Sequence, residues 1–484
     1  MRRSLSLAVA ATVFAASACK DSNVPFFTAP TSVPNSPAGI QNAVTGLLSG
    51  SRGDLFSYIV DATGFGRDGA NYTNTEPRFI TYELGLLPID PAWASTWANS
   101  YANILQSHQI ISTIPSVVPA FTTAQSQSLV GVIQTIEALN YMVIQEDHDS
   151  AGIAIMPALP TSAPPAFCAK DGWKYIVALL DSANNALHAA GATPLPVKLP
   201  SGFNAVSATA TSFSAFNRAL AGKAGLEYAY AIARGPGGSP PTPLTPGSPD
   251  IAALTRADSA IQASALLDTL HLTPNPAGGF TPDNWTVLHN FSAQSGDLVN
   301  PVNANIGTYI VLTPIPSSQD TINDLRWKTK FAVNPHLPVQ DPGYSIAASN
   351  YIYNMYSTPG AFIPIVRNEE LALVRAEIQI GLGNYNAAWA YINEVRTKVG
   401  GLAALPVNAT YQPTRDAMLH EQQISTAFEA SGDRMIAVRM YGLNTVIDQI
   451  WAADTAFHDH HTDVNPIPFA EVAARGGSFQ ISCP

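Results

Sequence analysis

Charge is what this sequence has least of. Asp, Glu, Lys and Arg make up only 12% of the 484 residues, well below the share in an ordinary soluble domain. Basic residues are scarcer than acidic ones, 24 against 35, and the net charge is -11. So few Lys and Arg cannot track a phosphate backbone, which excludes a non-specific nucleic-acid binder. After the N-terminus no stretch is apolar for long enough to cross a bilayer. There is no His-Glu-x-x-His zinc motif, no Gly-x-Ser-x-Gly nucleophile elbow and no P-loop. Apolar residues are plentiful at 46%, so a large core can be buried and the chain is not disordered. Ser, Thr, Asn and Gln stand in for the missing charge. That exchange points to an extracytoplasmic protein with a neutral, hydrogen-bonding surface.

The N-terminus agrees. Met1-Arg2-Arg3 is a basic start, followed by a short apolar run that reads as an export signal. The run ends in Ala16-Ser17-Ala18-Cys19, the spacing of a lipoprotein box. This resembles a bacterial lipoprotein signal over residues 1-18, with Cys19 lipid-modified. Lys20 rather than Asp follows the cysteine, so nothing suggests retention at an inner membrane. Residues 19-39 are rich in Pro, Ser, Thr and Asn and read as a lipidated tether. Residues 40-484 are expected to form a single helical domain. Of the 3 cysteines, Cys168 and Cys483 remain. In an oxidising compartment they either pair or stay as separate thiols, and the spacing alone does not decide.

Helical periodicity dominates the domain. Helices are expected at Ile40 to Leu48, Pro91 to Ile114, Thr123 to Gln145, Asp171 to Ala190, Ala215 to Ala233 and Ile251 to Leu270, and a last one from about Arg415 to Met440. The small residues of the Ala215 segment permit close helix contact. Gly235 to Asp250 holds too many prolines for helix or central strand and reads as a surface linker. Residues 273-361 form a loop-rich insertion with short strand-like runs. Ile365 to Gly400 reads as helix, a Leu-Gly-Asn-Tyr turn, then helix, with Ala376 and Ala388 small at the crossing. That is a tetratricopeptide-like hairpin. The fold class is therefore mainly α: an irregular helical scaffold with tetratricopeptide-like pairs, plus the insertion.

Residues 362-440 carry the most specific pattern. It runs Ile363-Pro364-Ile365-Val366-Arg367, Glu370-Leu371, Arg375-Ala376-Glu377, Leu382-Gly383-Asn384-Tyr385, Ala388 and Tyr391-Ile392-Asn393-Glu394-Val395-Arg396. Glu421, Glu429, Gly432-Asp433-Arg434 and Arg439 follow. Upstream, Trp97 to Ile111, Trp173 to Leu187, Asn217-Arg218-Ala219 and Asp324-Leu325-Arg326 keep the same order. The chain resembles the SusD/RagB family of outer-membrane nutrient-binding lipoproteins. The resemblance implies a lipid-anchored protein on the outer face of the outer membrane, capping a TonB-dependent transporter of the SusC type. It implies a glycan, oligosaccharide or other nutrient as ligand, with no enzymatic activity and no cofactor. The insertion and loops would shape the ligand face, and the helical side would meet the transporter. A surface with 17 Tyr and 7 Trp suits sugars, whose apolar faces stack on rings.

Candidate ligand contacts are Arg67, Tyr72 and Tyr82 from a Gly-punctuated loop, Trp285 from the insertion, and Trp327 beside Asp324-Leu325-Arg326. For each, packing is the competing reading. Trp93 and Trp97, four apart on one helix face, are expected in the core. His458-Asp459-His460-His461-Thr462-Asp463 has metal-ligand chemistry but reads as a solvated turn, so no metal site is expected. Glu146-Asp147-His148-Asp149 closes a helix and reads as surface. Glu377 with Arg375 and Arg396, and Glu429 with Arg434, read as structural pairs. Two rival functions stand beside nutrient binding. One is a self-associating or adhesive surface protein. The other is a surface glycoside hydrolase, which needs two carboxylates across a cleft.

Overall fold

The computed structural model describes residues 33-66, 69-71, 94-160, 162-199, 203, 208-235, 248-264, 287-289, 309-311, 323-333, 351-353, 363-429, 433-443 and 464-483. Six long helices come first: α1 (Pro37–Phe65), α2 (Ala94–Thr113), α3 (Thr123–His148), α4 (Ala169–Ala190), α5 (Ala210–Arg234) and α6 (Ile251–Ala263). Each packs on the next, which is the stacking that tetratricopeptide-like pairs require. Strand β1 (Gly69–Asn71) lies between α1 and α2; β2 (Ile153–Ala154) and β3 (Ala166–Phe167) lie between α3 and α4. The insertion supplies β4 (Val287–His289), β5 (Tyr309–Val311), α7 (Leu325–Lys330), β6 (Phe331–Val333) and β7 (Tyr351–Tyr353). Then come β8 (Ile363–Val366), α8 (Asn368–Gly381), α9 (Tyr385–Lys398), α10 (Tyr411–Ser425), α11 (Asp433–Tyr441), α12 (Phe469–Ala474) and β9 (Ile481–Ser482). The α8–α9 hairpin packs on α10, and α8 also packs on α5 and α6, which joins the two halves.

Local chemistry sets the helix ends. Thr122 and Gln125 form a reciprocal capping box at the start of α3, at 3.2 and 3.0 Å. Thr209 and Ser212 do the same for α5. Asp250 accepts from the Ala253 amide at 2.6 Å and caps α6. On α4 the apolar stripe Trp173, Ile176, Leu180, Ala183 and Leu187 is buried as its spacing predicts.

Two helices differ from the sequence reading. The first runs well past Leu48, through three glycines, and starts inside the supposed tether at Pro37. Tertiary contact overrides propensity there. A Cβ on Gly50 would lie 2.2 Å from Asn103 Oδ1, so the missing side chain lets α1 and α2 meet. Asn103 then donates to Asn140 at 3.0 Å, and Asn140 donates to Ser51 at 3.1 Å, bridging α2, α3 and α1. The second difference is near the C-terminus, where the long helix expected from Arg415 to Met440 is two helices, α10 and α11. Phe428, at φ 57°, marks the break.

Close helix approach makes one strong prediction. A Cβ on Gly131 would sit 2.6 Å from Leu187 Cγ and 2.8 Å from the Ala183 carbonyl oxygen. Gly131→Val is expected to cost about 1–3 kcal/mol by forcing α3 and α4 apart. A urea unfolding midpoint unchanged from wild type would show that the helices yield freely.

Candidate functional site

The site is built on a four-stranded antiparallel sheet in the order β1-β5-β7-β6. Three of its strands come from the insertion. The fourth, β1, comes from the loop that supplied Arg67, Tyr72 and Tyr82, and it forms the sheet edge. The register sets Asn71 opposite Tyr309 and Gly69 opposite Val311. It sets Phe331 opposite Tyr353 and Val333 opposite Tyr351. Strand pairing thus joins two segments more than two hundred residues apart in sequence, both named as ligand-face candidates. Arg67, Tyr72, Tyr82 and Trp285 themselves lie outside the described residues. In sequence Trp285 just precedes β4, which pairs with β8 rather than with this sheet. His458 to Asp463 also lies outside the described residues.

Trp327 corrects its reading as a ligand contact. It is 8% exposed and stacks on Phe331, with ring centroids 4.2 Å apart. An aromatic pair four apart at the α7–β6 junction fills the core. Trp97 is buried as expected, with Tyr101 at 4.7 Å and His148 edge-on at 4.8 Å.

The sheet is held to the helical platform by buried ions. Asp324 caps α7, accepting from the Arg326 amide at 2.8 Å. The Arg326 guanidinium donates to Asp324 at 2.7 Å, Glu421 at 2.6 Å and Ser425 Oγ at 2.9 Å. Arg396 donates to Glu421 at 2.9 Å. One turn along α7, Lys330 donates to Glu429 at 2.5 Å, which also takes Arg367 at 2.6 Å. Arg367 also pairs with Glu369. Cations Arg326, Lys330, Arg367 and Arg396 balance acids Asp324, Glu369, Glu421 and Glu429. Burial pushes Lys330 down and Glu369 up, while the Glu421 and Asp324 carboxylates outweigh burial and push Arg326 up. Sequence reading expected structural pairs here, but the partners differ. Arg375 bonds Asp258 at 2.7 Å, and Glu377 accepts from the Tyr441 hydroxyl at 2.8 Å.

Glu146-Asp147-His148-Asp149 also requires correction, because all four side chains are buried rather than surface. Arg234 holds Asp149 through two bonds, at 2.5 and 2.9 Å. Asn465 donates to Asp147 at 3.0 Å, and its carbonyl accepts from His148 Nδ1 at 2.9 Å. That tautomer fits a neutral imidazole, and burial lowers its pKa to about 3. Burial raises Glu146 and Asp147 to about 7. The local sequence held no signal for this, because every partner is remote.

Two further features frame the platform. Cys168 and Cys483 are joined in a disulfide, S–S 2.08 Å. It ties β9 to the start of α4, where β9 adds to β3 as a parallel strand. Asp171 is near both sulfurs, but the disulfide leaves neither sulfur as a thiolate, the form that ligates metals, so this set does not suit an ion. A cavity of about 310 Å³ opens between α4, α5 and α6. Its floor is small, with Ala221, Gly225 and Ala257, and Arg218, Tyr228 and Arg256 stand around it.

No family model and no curated protein matches the sequence. Solved structures do. A SusD superfamily protein from Bacteroides vulgatus ATCC 8482 superposes at TM-score 0.63 with 15% identity, over 92% of this chain and 98% of that one. A SusD homolog from Bacteroides thetaiotaomicron VPI-5482 gives TM-score 0.63 at 12% identity, over 91% and 96%. A crystal structure with xylogluco-oligosaccharide gives 0.59 at 13% identity, over 85% of each chain. The chain therefore has the SusD-type fold.

Proposed function

We propose that this SusD-type chain is a surface lipoprotein that binds a glycan or oligosaccharide and delivers it to a SusC-type, TonB-dependent outer-membrane transporter. It binds its ligand and leaves it chemically unchanged. The observation that carries this reading is the pairing of β1 with β5. It brings Gly69–Asn71 and the Tyr-rich strands of the insertion into one sheet on a helical platform. Rings beside hydrogen-bonding side chains are what a sugar face requires. The match to a structure with xylogluco-oligosaccharide supports a glycan as the ligand class. The balanced ion network under the sheet fits a rigid receptor, since preorganised sites lose less entropy on binding.

Residues 1-18 would be the signal, Cys19 the acylated anchor, and residues 40-484 the receptor domain. Cys19→Ala is expected to move the protein from the outer-membrane fraction to the soluble one, because no described helix is long and apolar enough to hold it there. Retention of the variant in washed membranes would rule out acylation as the anchor.

The deciding experiment is recovery of the tagged, lipidated protein from outer membranes, with glycan binding measured on the same preparation. A TonB-dependent barrel in near-equal amount, with retardation on a glycan gel, supports the proposal. Recovery of the protein alone or as its own polymer, without glycan binding, favours the adhesive reading. Cleavage of the bound oligosaccharide would make it a hydrolase.

A further inference from the structure

The junction below α3 collects more buried acid than buried base. Glu146, Asp147 and Asp149 come from the end of α3 and the turn after it, Glu227 from α5, and Glu370 and Glu377 from α8. Asp433 enters from α11. The cations facing them are Lys223 and Arg234 of α5 and Arg439 of α11. Lys223 is taken by Glu370 at 2.5 Å, and Arg234 by Asp149. Arg439 donates to the Glu146 and Asp147 carbonyl oxygens. The remaining polar groups bring no charge. Tyr58 of α1 faces Glu146, Tyr441 and Gln422 face Glu377, and His148 stays neutral. Among the described residues, Glu146, Glu227, Glu377 and Asp433 make no ion pair, and Asp147 has only the neutral His148 at 3.6 Å.

Seven buried acids against three cations leave a surplus of four carboxylates, which cannot be buried ionised together at acceptable cost. They must hold protons when the junction is closed. We propose that this junction is a pH-sensitive seat for α11 and the segment around Asn465, closed while its surplus carboxyls are protonated and loosened when they ionise. The titration directions agree. Burial first, then neighbouring acids, raise Glu227 and Asp433, and burial raises Glu146, Asp147 and Glu377 to about 7. The sign follows from linkage. A carboxyl whose folded pKa is raised stabilises the closed form fully below its unfolded value near 4. That contribution is lost as pH rises through the folded value near 7. The ion network of α7 has equal numbers of acids and bases, so it provides an internal control.

The test is amide hydrogen exchange on the intact chain from pH 5 to pH 8. Protection factors for 433-443 and 464-466 are expected to fall about tenfold per pH unit between pH 5 and 7 for each proton released. Those for α7 and α9 should change far less. The triple variant Glu146→Gln, Asp147→Asn, Glu377→Gln keeps the shape of the protonated side chains. It should fold and remain protected at pH 8. An infrared carbonyl band from protonated carboxyls, present at pH 6 and weakened in the variant, where of these acids only Glu227 and Asp433 still contribute, is the direct signature. Level protection across the range in wild type, or an unaltered pH profile in the triple variant, overturns the proposal.

Discussion

Arg326→Ala is expected to lower the free energy of unfolding by about 3–5 kcal/mol, the range for breaking one partner out of a buried ion pair. Arg326 is buried and donates to Asp324, Glu421 and Ser425 at once. Its loss leaves Asp324 without its cation and Glu421 with Arg396 alone. The network then holds four acids against three bases in low dielectric. Arg326→Lys should recover little, because an ammonium cannot span both carboxylates as the planar guanidinium does. The double variant Arg326→Ala, Glu421→Ala should cost less than the sum of the singles, since the second change removes an acid that the first left short of partners. The same arginine fixes α7, and α7 leads directly into β6 of the four-stranded sheet. On the proposed function, glycan affinity should therefore fall in Arg326→Ala even at temperatures where the chain stays folded. A urea midpoint within experimental error of wild type, with affinity intact, would remove the network from any role in holding the sheet.

The parts of this architecture that a sequence can announce are those set by neighbours along the chain. The stripe from Trp173 to Leu187 is written at helical spacing, and the α8–α9 hairpin carries its own turn in Gly383-Asn384. Helix α1 is different. Its glycines argue against a helix locally, and only the approach of Asn103 from α2 explains Gly50. The acids at the end of α3 look like an ordinary solvated terminus until Asn465 arrives from 318 residues away. Strand β1 is three residues long and finds β5 only in space. For Trp327 a usable signal existed, since Phe331 four residues on could have named it as half of a packed pair. Proximity to Asp324-Leu325-Arg326 drew it toward the ligand instead, and that motif turns out to be the sheet's anchor.

Arg234→Ala is expected to cost a similar amount, about 3–5 kcal/mol at pH 8, with a pH dependence set by Asp149. Asp149 is buried at a positive φ of 32° and receives both guanidinium nitrogens of Arg234. Burial pushes its carboxyl up, and Arg234 with Arg439 overrides that and holds it below the usual range. In wild type its contribution is present above the unfolded value near 4 and fades only as pH falls through the lower folded value. Without Arg234 the burial effect prevails and the folded pKa moves above the unfolded one. The variant's deficit should then shrink on acidification, by about 1.4 kcal/mol for each unit of that upward shift. Wild-type and variant curves must be subtracted at each pH, because the surrounding acids titrate in both. Adding Asp149→Asn to Arg234→Ala removes the titrating group, so the deficit should become smaller and level with pH. If the single variant's deficit is instead the same at pH 5 and pH 8, Asp149 has found another cation or water. The seat at the end of α3 would then be less dry than its geometry implies.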